Sequence, residues 1–211
     1  MAENRDPDTL LMLRVKAGDL AAFEALVEKY KQPLLNLLYR TLPDATEAED
    51  LAQGVFVQVY KSAPRYKASA KFSTWLFTIA RNLCLNEIRR RSRHPAEPLY
   101  PPPPTPGTET ERPLPDLHRA GPAETLLQGE LERKVEEAVR ALPENQRMAI
   151  LLCRQGDLPY EEIARVLGCS LSATKSLIHR ARETLKARLK PYLRSGAWAP
   201  GPPDDPAGRG R

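Results

Sequence analysis

The chain has 211 residues, enough for one domain or two small ones, with 21 prolines and a formal net charge of +5. No apolar run approaches the length that spans a bilayer, and the opening MAENRDPDTL lacks the basic flank and apolar core of a secretory signal, so a cytoplasmic protein that is not membrane-bound is expected. The three cysteines, Cys84, Cys153 and Cys169, sit singly among helical apolar residues and read as small buried hydrophobes, which argues against a disulfide framework or a metal site.

From Asp8 to about Arg93 the apolar residues recur at helical spacing. Asp8 or Thr9 is expected to cap a first short helix that stops at Gly18. Asp19 then caps a second, carrying Leu20, Phe23, Leu26, Val27 and Tyr30, and Pro33 is expected to kink or restart it before Leu34. Thr46 and Glu49 have the spacing of a capping box for a third helix with Leu51, Val55, Phe56 and Val59 on one side. A fourth, from about Ser73 to Arg91, carries Trp75, Leu76, Ile79, Leu83 and Ile88. Charge is concentrated here: Lys61 to Arg93 holds nine Lys/Arg against the single acid Glu87, an arrangement that favours a polyanion through counterion release.

Between residues 94 and 122 ten of 29 positions are proline and helical periodicity vanishes, so this stretch reads as an extended linker reaching up to ~3.1 Å per residue. Helical pattern resumes from about Ala123 to Ala141 and again through Met148, Ile150, Leu151 and Leu152. Residues 195–211, rich in Gly and Pro, are expected to be a disordered tail. The expected fold is therefore all-α, with two small helical domains, 8–93 and 123–194, joined by the Pro-rich linker.

Residues 159–187 have the organisation of a helix-turn-helix: a short amphipathic helix, a glycine turn at Gly168, a capping Ser170 and a longer basic helix. At 100° per residue Leu171, Thr174, Ile178, Ala181 and Leu185 share one arc and face inward. The opposite arc holds Ser172, Ser176, His179, Arg180 and Glu183, with Lys175 and Arg182 on its flanks, and such a face can enter a major groove. A solvated basic helix is the bland alternative; the glycine turn, the small inward Ala164 and the capping serine weigh against it. Nothing in the chain has the spacing of a phosphate loop, a nucleophile with its base, or a metal-ligand set, so an enzyme is not expected and no cofactor or small-molecule substrate is assigned.

At this point ALPENQRMAILLCRQGDLPYEEIARVLGCSLSATKSLIHRAR resembles region 4 of the sigma-70 family, in its extracytoplasmic-function (ECF) group. EAEDLAQGVFVQVYK resembles that family's polymerase-binding helix, and FSTWLFTIARNLCLNEIRRR its segment for melting and reading the -10 element. The resemblance implies an alternative sigma factor that binds core RNA polymerase, through the beta-prime clamp helices and the beta subunit, and directs it to promoter DNA. It implies an anti-sigma partner too. Asp50, Leu51, Gln53 and Phe56 match the polymerase-docking helix, although core packing competes for Leu51 and is favoured for Phe56. Tyr66, Asn82, Asn86, Arg89 and Arg90 match positions that meet the -10 element, where a flipped base needs stacking and amide contacts. Arg91 and Arg93 join Arg89 and Arg90 as expected phosphate contacts, while Trp75 reads first as a core residue. Ser172, Lys175, Ser176, His179, Arg180 and Arg182 match the -35 reader. The sequence departs from the family pattern at Asn86, often Asp, at Ser172-Ala173-Thr174, often Gly-Thr-Val, and at Leu177, often Arg. The loss of that arginine is expected to remove a contact at the -35 element, and Thr174 to bond back to its own helix. A conventional helix-turn-helix regulator on operator DNA is the competing reading, but it leaves the N-terminal segments unexplained.

Overall fold

A computed structural model describes residues 6–93, 122–155 and 158–195. Apart from Pro122 and Ser195, the linker and tail expected from sequence lie outside the described residues. The fold is all-α: α1 (Pro7–Lys16), α2 (Leu20–Thr41), α3 (Ala45–Ser62), a 3-10 turn (Ala63–Arg65), α4 (Phe72–Arg93), α5 (Pro122–Arg140), α6 (Glu144–Cys153), α7 (Tyr160–Leu167) and α8 (Leu171–Ser195). No strand occurs among the described residues.

The first cap differs from expectation. Asp6 caps α1, accepting from the Thr9 amide and hydroxyl at 3.2 Å each, with Pro7 at the first helical position, where its missing N–H costs nothing. Asp8 and Thr9 are inside the helix and make tertiary contacts instead. The buried Asp8 carboxylate accepts from Lys29 Nζ at 2.6 and 2.7 Å and from the Tyr30 hydroxyl at 2.5 Å, fixing α1 to α2. Thr9 Oγ1 accepts from the Phe72 amide at 3.2 Å, satisfying a backbone donor that the start of α4 leaves free.

Asp19 caps α2 as expected, at 3.1 Å from the Ala22 amide, after Gly18 has reversed the chain at φ +95°. Pro33 does not divide α2, which runs unbroken from Leu20 to Thr41. Buried Tyr30, Leu34, Leu37 and Leu38 hold both halves to the core, so packing outweighs the one lost backbone bond. The Thr46–Glu49 capping box is also absent. Asp44 caps α3 by accepting from the amides of Thr46 and Glu47 at 2.8 and 3.2 Å, its ionised carboxylate being the stronger acceptor for a helix N-terminus. Glu49 accepts instead from the Tyr39 hydroxyl at 2.6 Å.

Met12, Leu26, Leu34, Leu38, Val55, Val59, Phe72, Leu76 and Phe77 fill the N-terminal core, and Leu142, Met148, Leu152, Ile163 and Ile178 the C-terminal one. Cys84 is fully buried, and burial pushes its thiol up to about 12, so at neutral pH it carries no thiolate and serves as packing. Cys153 and Cys169 are only half-buried, a departure from the expectation that all three are interior.

The two helical units pack against each other. Helix α7 lies on α4, and α5 and α6 lie on α2, so the buried apolar residues form one continuous cluster. Among the described residues, hydrogen bonds cross between them from Thr74 Oγ1 to Glu162 Oε2 at 2.5 Å, from Arg147 Nη1 to the Thr41 carbonyl at 3.2 Å, and from Gln155 Nε2 to the Pro33 carbonyl at 3.1 Å.

Candidate nucleic-acid and polymerase interfaces

The helix-turn-helix forms where the sequence places it. Gly168 ends α7 in the left-handed conformation at φ +63°, and the Cys169 amide closes the turn on the Ala164 carbonyl at 3.1 Å. Ser170 Oγ then accepts from the Ala173 amide at 3.1 Å, capping α8. Thr174 is fully buried, and its hydroxyl donates to the Ser170 carbonyl at 3.1 Å, the back-bond expected for a hydroxyl on the inward arc. Ile178 and Ala181 are buried beside it, whereas Leu171 and Leu185 are half-buried.

On the other arc Ser172, Lys175, Ser176, His179, Arg180, Arg182 and Glu183 are all exposed. Five of the six candidate -35 side chains thus share an open helix face. Arg182 is the exception in direction: its Nη2 lies 3.4 Å from the Tyr160 hydroxyl and 3.6 Å from Cys153 Sγ, so it turns back toward α7 and α6. Leu177, where the family often has Arg, is half-buried and packs on the core cluster. The missing charge is therefore partly replaced by apolar packing at the flank of the reading face.

Helix α4 presents the second candidate site. Asn82, Asn86 and Arg89 are exposed on it, and Lys61, Arg65, Lys67 and Lys71 are exposed on the segment leading to it. Tyr66, expected to meet the -10 element, is instead 3 % exposed, its ring 4.8 Å from that of Trp75. Burial raises its phenol above the ordinary tyrosine value, so the ring is neutral packing beneath Trp75. Trp75 is half-buried, with Phe72 on its inner side at 6.1 Å, and is the more accessible of the two aromatics. Arg90 is occupied: it holds Glu87 at 2.9 and 2.7 Å through two nitrogens, and that guanidinium keeps the Glu87 carboxyl below the usual range. Arg91 pairs with Glu47 of α3 and with Glu87. Among the described residues Arg89 and Arg93 have no such acidic partner. The single acid of the basic segment thus engages two of its arginines, an effect that counting charges misses.

Helix α3 presents the third. Asp50 and Gln53 are exposed, while Leu51 and Phe56 are half-buried and pack on the core cluster. The exposed arc instead continues through Val57 and Tyr60, two large apolar residues that the sequence analysis missed. The signal was available, since 50, 53, 57 and 60 are spaced by three and four. Phe23 of α2 supports this face, its ring 5.1 Å from Tyr60. Among the described residues no cluster of three or more His, Cys, Asp or Glu is placed to hold a metal, and no helix is long and apolar enough to cross a membrane.

A helix-turn-helix with an open basic face, set after a helical unit with its own basic helix, has the organisation of a bipartite DNA-binding protein. Residues 26–94 match the family model for sigma-70 region 2, and residues 132–185 that for sigma-70 region 4. The RNA polymerase sigma-H factor of Pseudomonas aeruginosa is 35 % identical over 190 residues, covering 90 % of this chain and 97 % of that protein. The ECF RNA polymerase sigma-E factor of Escherichia coli K12 is 31 % identical over 187 residues, covering 89 % and 96 %. The chain belongs to the sigma-70 family, as an ECF RNA polymerase sigma factor. Its fold is also that of CnrH, solved with the cytosolic domain of CnrY (24 % identical, TM-score 0.62, covering 88 % of this chain and 99 % of that one). It is likewise that of RpoE of Bartonella quintana, solved with the anti-sigma factor NepR (23 %, TM-score 0.61, covering 80 % and 96 %). The operator-regulator reading has no place for the region 2 match.

Proposed function

We propose that the three surfaces divide the work of initiation: α3 docks on core polymerase, α4 holds unwound -10 bases, and α8 reads the -35 duplex. The observation that carries this reading is the alternation along α8, where Thr174, Ile178 and Ala181 are buried while Ser172, Lys175, Ser176, His179 and Arg180 are exposed. That alternation frees one whole helix face for a major groove, where arginine and lysine bond guanine edges and phosphates.

On α4 the exposed Asn82 and Asn86 supply amide donors and acceptors for an unpaired base, half-buried Trp75 supplies a stacking plane, and Arg89 and Arg93 neutralise phosphate. Tyr66 acts beneath them as support. On α3 Asp50 and Gln53 meet a basic helix of the polymerase clamp, with Val57 and Tyr60 as the apolar centre of the contact. The chain makes no covalent chemistry and works in the cytoplasm, where the polymerase is. An anti-sigma partner is part of this reading, supported by the company in which the CnrH and RpoE structures were solved.

Asp50→Ala tests the docking surface. Titrated against core polymerase, it is expected to bind with roughly tenfold lower affinity, the effect of losing about 1–2 kcal/mol at one interface residue. Its circular dichroism should stay that of the wild type, because Asp50 is exposed. Unchanged core affinity would remove α3 from the contact.

A further inference from the structure

We infer that the DNA-binding surface of α8 continues past its reading face, and that Lys186 and Lys190 hold duplex phosphates beyond the groove that Lys175 and His179 enter. The inference deepens the proposal that α8 reads the -35 duplex and rests on it.

An α-helix turns about 100° per residue, so the positions of α8 can be sorted by phase. With Lys175 at zero, Lys186 falls at about 20°, His179 at about 40°, and Ser172 and Lys190 at about 60°. All five are exposed, so one narrow arc carries polar and basic side chains over most of the helix. The inward arc of Thr174, Ile178 and Ala181 lies roughly 120° away. Half-buried Leu185 and Leu189 continue that inward side, and α5 packs on α8. The C-terminal half of α8 is thus anchored with its lysines turned outward.

Those lysines are also uncommitted. Helix α8 has a single acid, Glu183, at the edge of the arc near 80°. Among the described residues no ion pair engages Lys175, Lys186 or Lys190. Arg182, at the other edge, is turned back toward Tyr160 and Cys153 and is left out of the count.

Length and chemistry select the partner. From Lys175 to Lys190 the arc runs roughly 22 Å at 1.5 Å per residue, whereas a major groove is about 12 Å wide. A helix whose first turns enter the groove therefore carries its later turns to the groove's edge, where the phosphates stand, as the end of a homeodomain recognition helix does. A lysine suits that place, being a point charge on a flexible stem that needs no fixed geometry. An acidic protein surface fits less well, because protein interfaces are built on an apolar centre. The arc has no apolar residue from Ser172 to Lys190, and exposed Leu193 comes only after it.

Binding of the full chain to a -35 duplex across a range of salt concentrations tests this, with a duplex of scrambled element in parallel. Each phosphate contact adds about 0.9 to the slope of log affinity against log salt. Lys186→Ala with Lys190→Ala is expected to reduce that slope by about two on both duplexes and to leave the ratio of the two affinities unchanged. Lys186→Arg with Lys190→Arg keeps both charges and should keep the wild-type slope. Both lysines are exposed, so melting followed by circular dichroism should match the wild type in every variant. A slope in the alanine pair within about half a unit of the wild type would overturn the inference. The same slope with weakened core polymerase binding would overturn it in favour of an acidic protein partner. A wild type that does not distinguish the duplexes would remove the -35 reading of α8, while the slopes on scrambled DNA would still decide whether these lysines hold phosphate.

Discussion

Replacing Phe72 with alanine is expected to lower the stability of the N-terminal domain by about 3–5 kcal/mol, the usual cost of emptying a fully enclosed aromatic site. Phe72 has no exposed surface and stands at the first position of α4, with Tyr30 edge-on at 5.3 Å and Trp75 at 6.1 Å. Its amide also donates to Thr9 Oγ1 of α1, so the residue joins α1, α2 and α4 at one point. A small domain has only about 5–15 kcal/mol in total, so such a loss lowers the melting temperature by more than ~10 °C. Thermal unfolding followed by circular dichroism reads this directly. The functional consequence follows from position: Trp75, Asn82 and Asn86 are carried by the helix that Phe72 anchors, so -10 engagement should fail at temperatures where the wild type still works. A shift below about 1 kcal/mol would mean that the α1–α2–α4 junction is not the keystone of this domain.

Arg180→Ala is expected to weaken binding to a -35 duplex by roughly ten- to a hundredfold, the span of about 1–3 kcal/mol for a lost arginine contact to DNA. Arg180 is exposed between buried Ile178 and Ala181, so truncation leaves the packing of α8 untouched and melting unchanged. The salt dependence distinguishes its partner. If Arg180 holds a phosphate, the slope of log affinity against log salt falls by about one and sequence preference survives; if it holds a base edge, preference relaxes at one position. Core polymerase binding should not change in either case. An affinity within twofold of the wild type would take Arg180 off the reading face.

What the sequence made legible is what local chemistry decides. Gly168, Ser170 and Thr174 act on partners within five residues, so a glycine turn, a serine cap and a back-bonded threonine were readable in one line of sequence. The two-sidedness of α8 was readable for the same reason, since periodicity alone assigns its arcs. Distant partners were not. Asp8 and Thr9 look like capping residues, but their partners Lys29, Tyr30 and Phe72 lie 21 to 63 positions away. Thr46 and Glu49 satisfy a capping rule that Asp44 satisfies better. Glu162 and Arg147 look like ordinary members of an amphipathic helix until Thr74 and the Thr41 carbonyl are found opposite them. The candidate sites divide the same way: exposure of Asn82, Asn86, Asp50 and Gln53 follows from helix phase, whereas burial of Tyr66 and the pairing of Arg91 with Glu47 depend on neighbouring helices.

The arginines of α4 show why this matters for mechanism. Read as a run, Arg89 to Arg93 is a uniform cationic end; in three dimensions Glu87 and Glu47 engage two of them. On the -10 contact proposed above, a phosphate would have to displace those carboxylates to reach Arg90 or Arg91, but not to reach Arg89.

The central claim, that this chain confers promoter-specific initiation, is tested most directly by adding the purified full-length protein to sigma-free core polymerase on a template carrying its own upstream promoter. The account predicts one-to-one association with core and a discrete transcript that appears only when the protein is present. Association without any defined start, or no association at all, would contradict it.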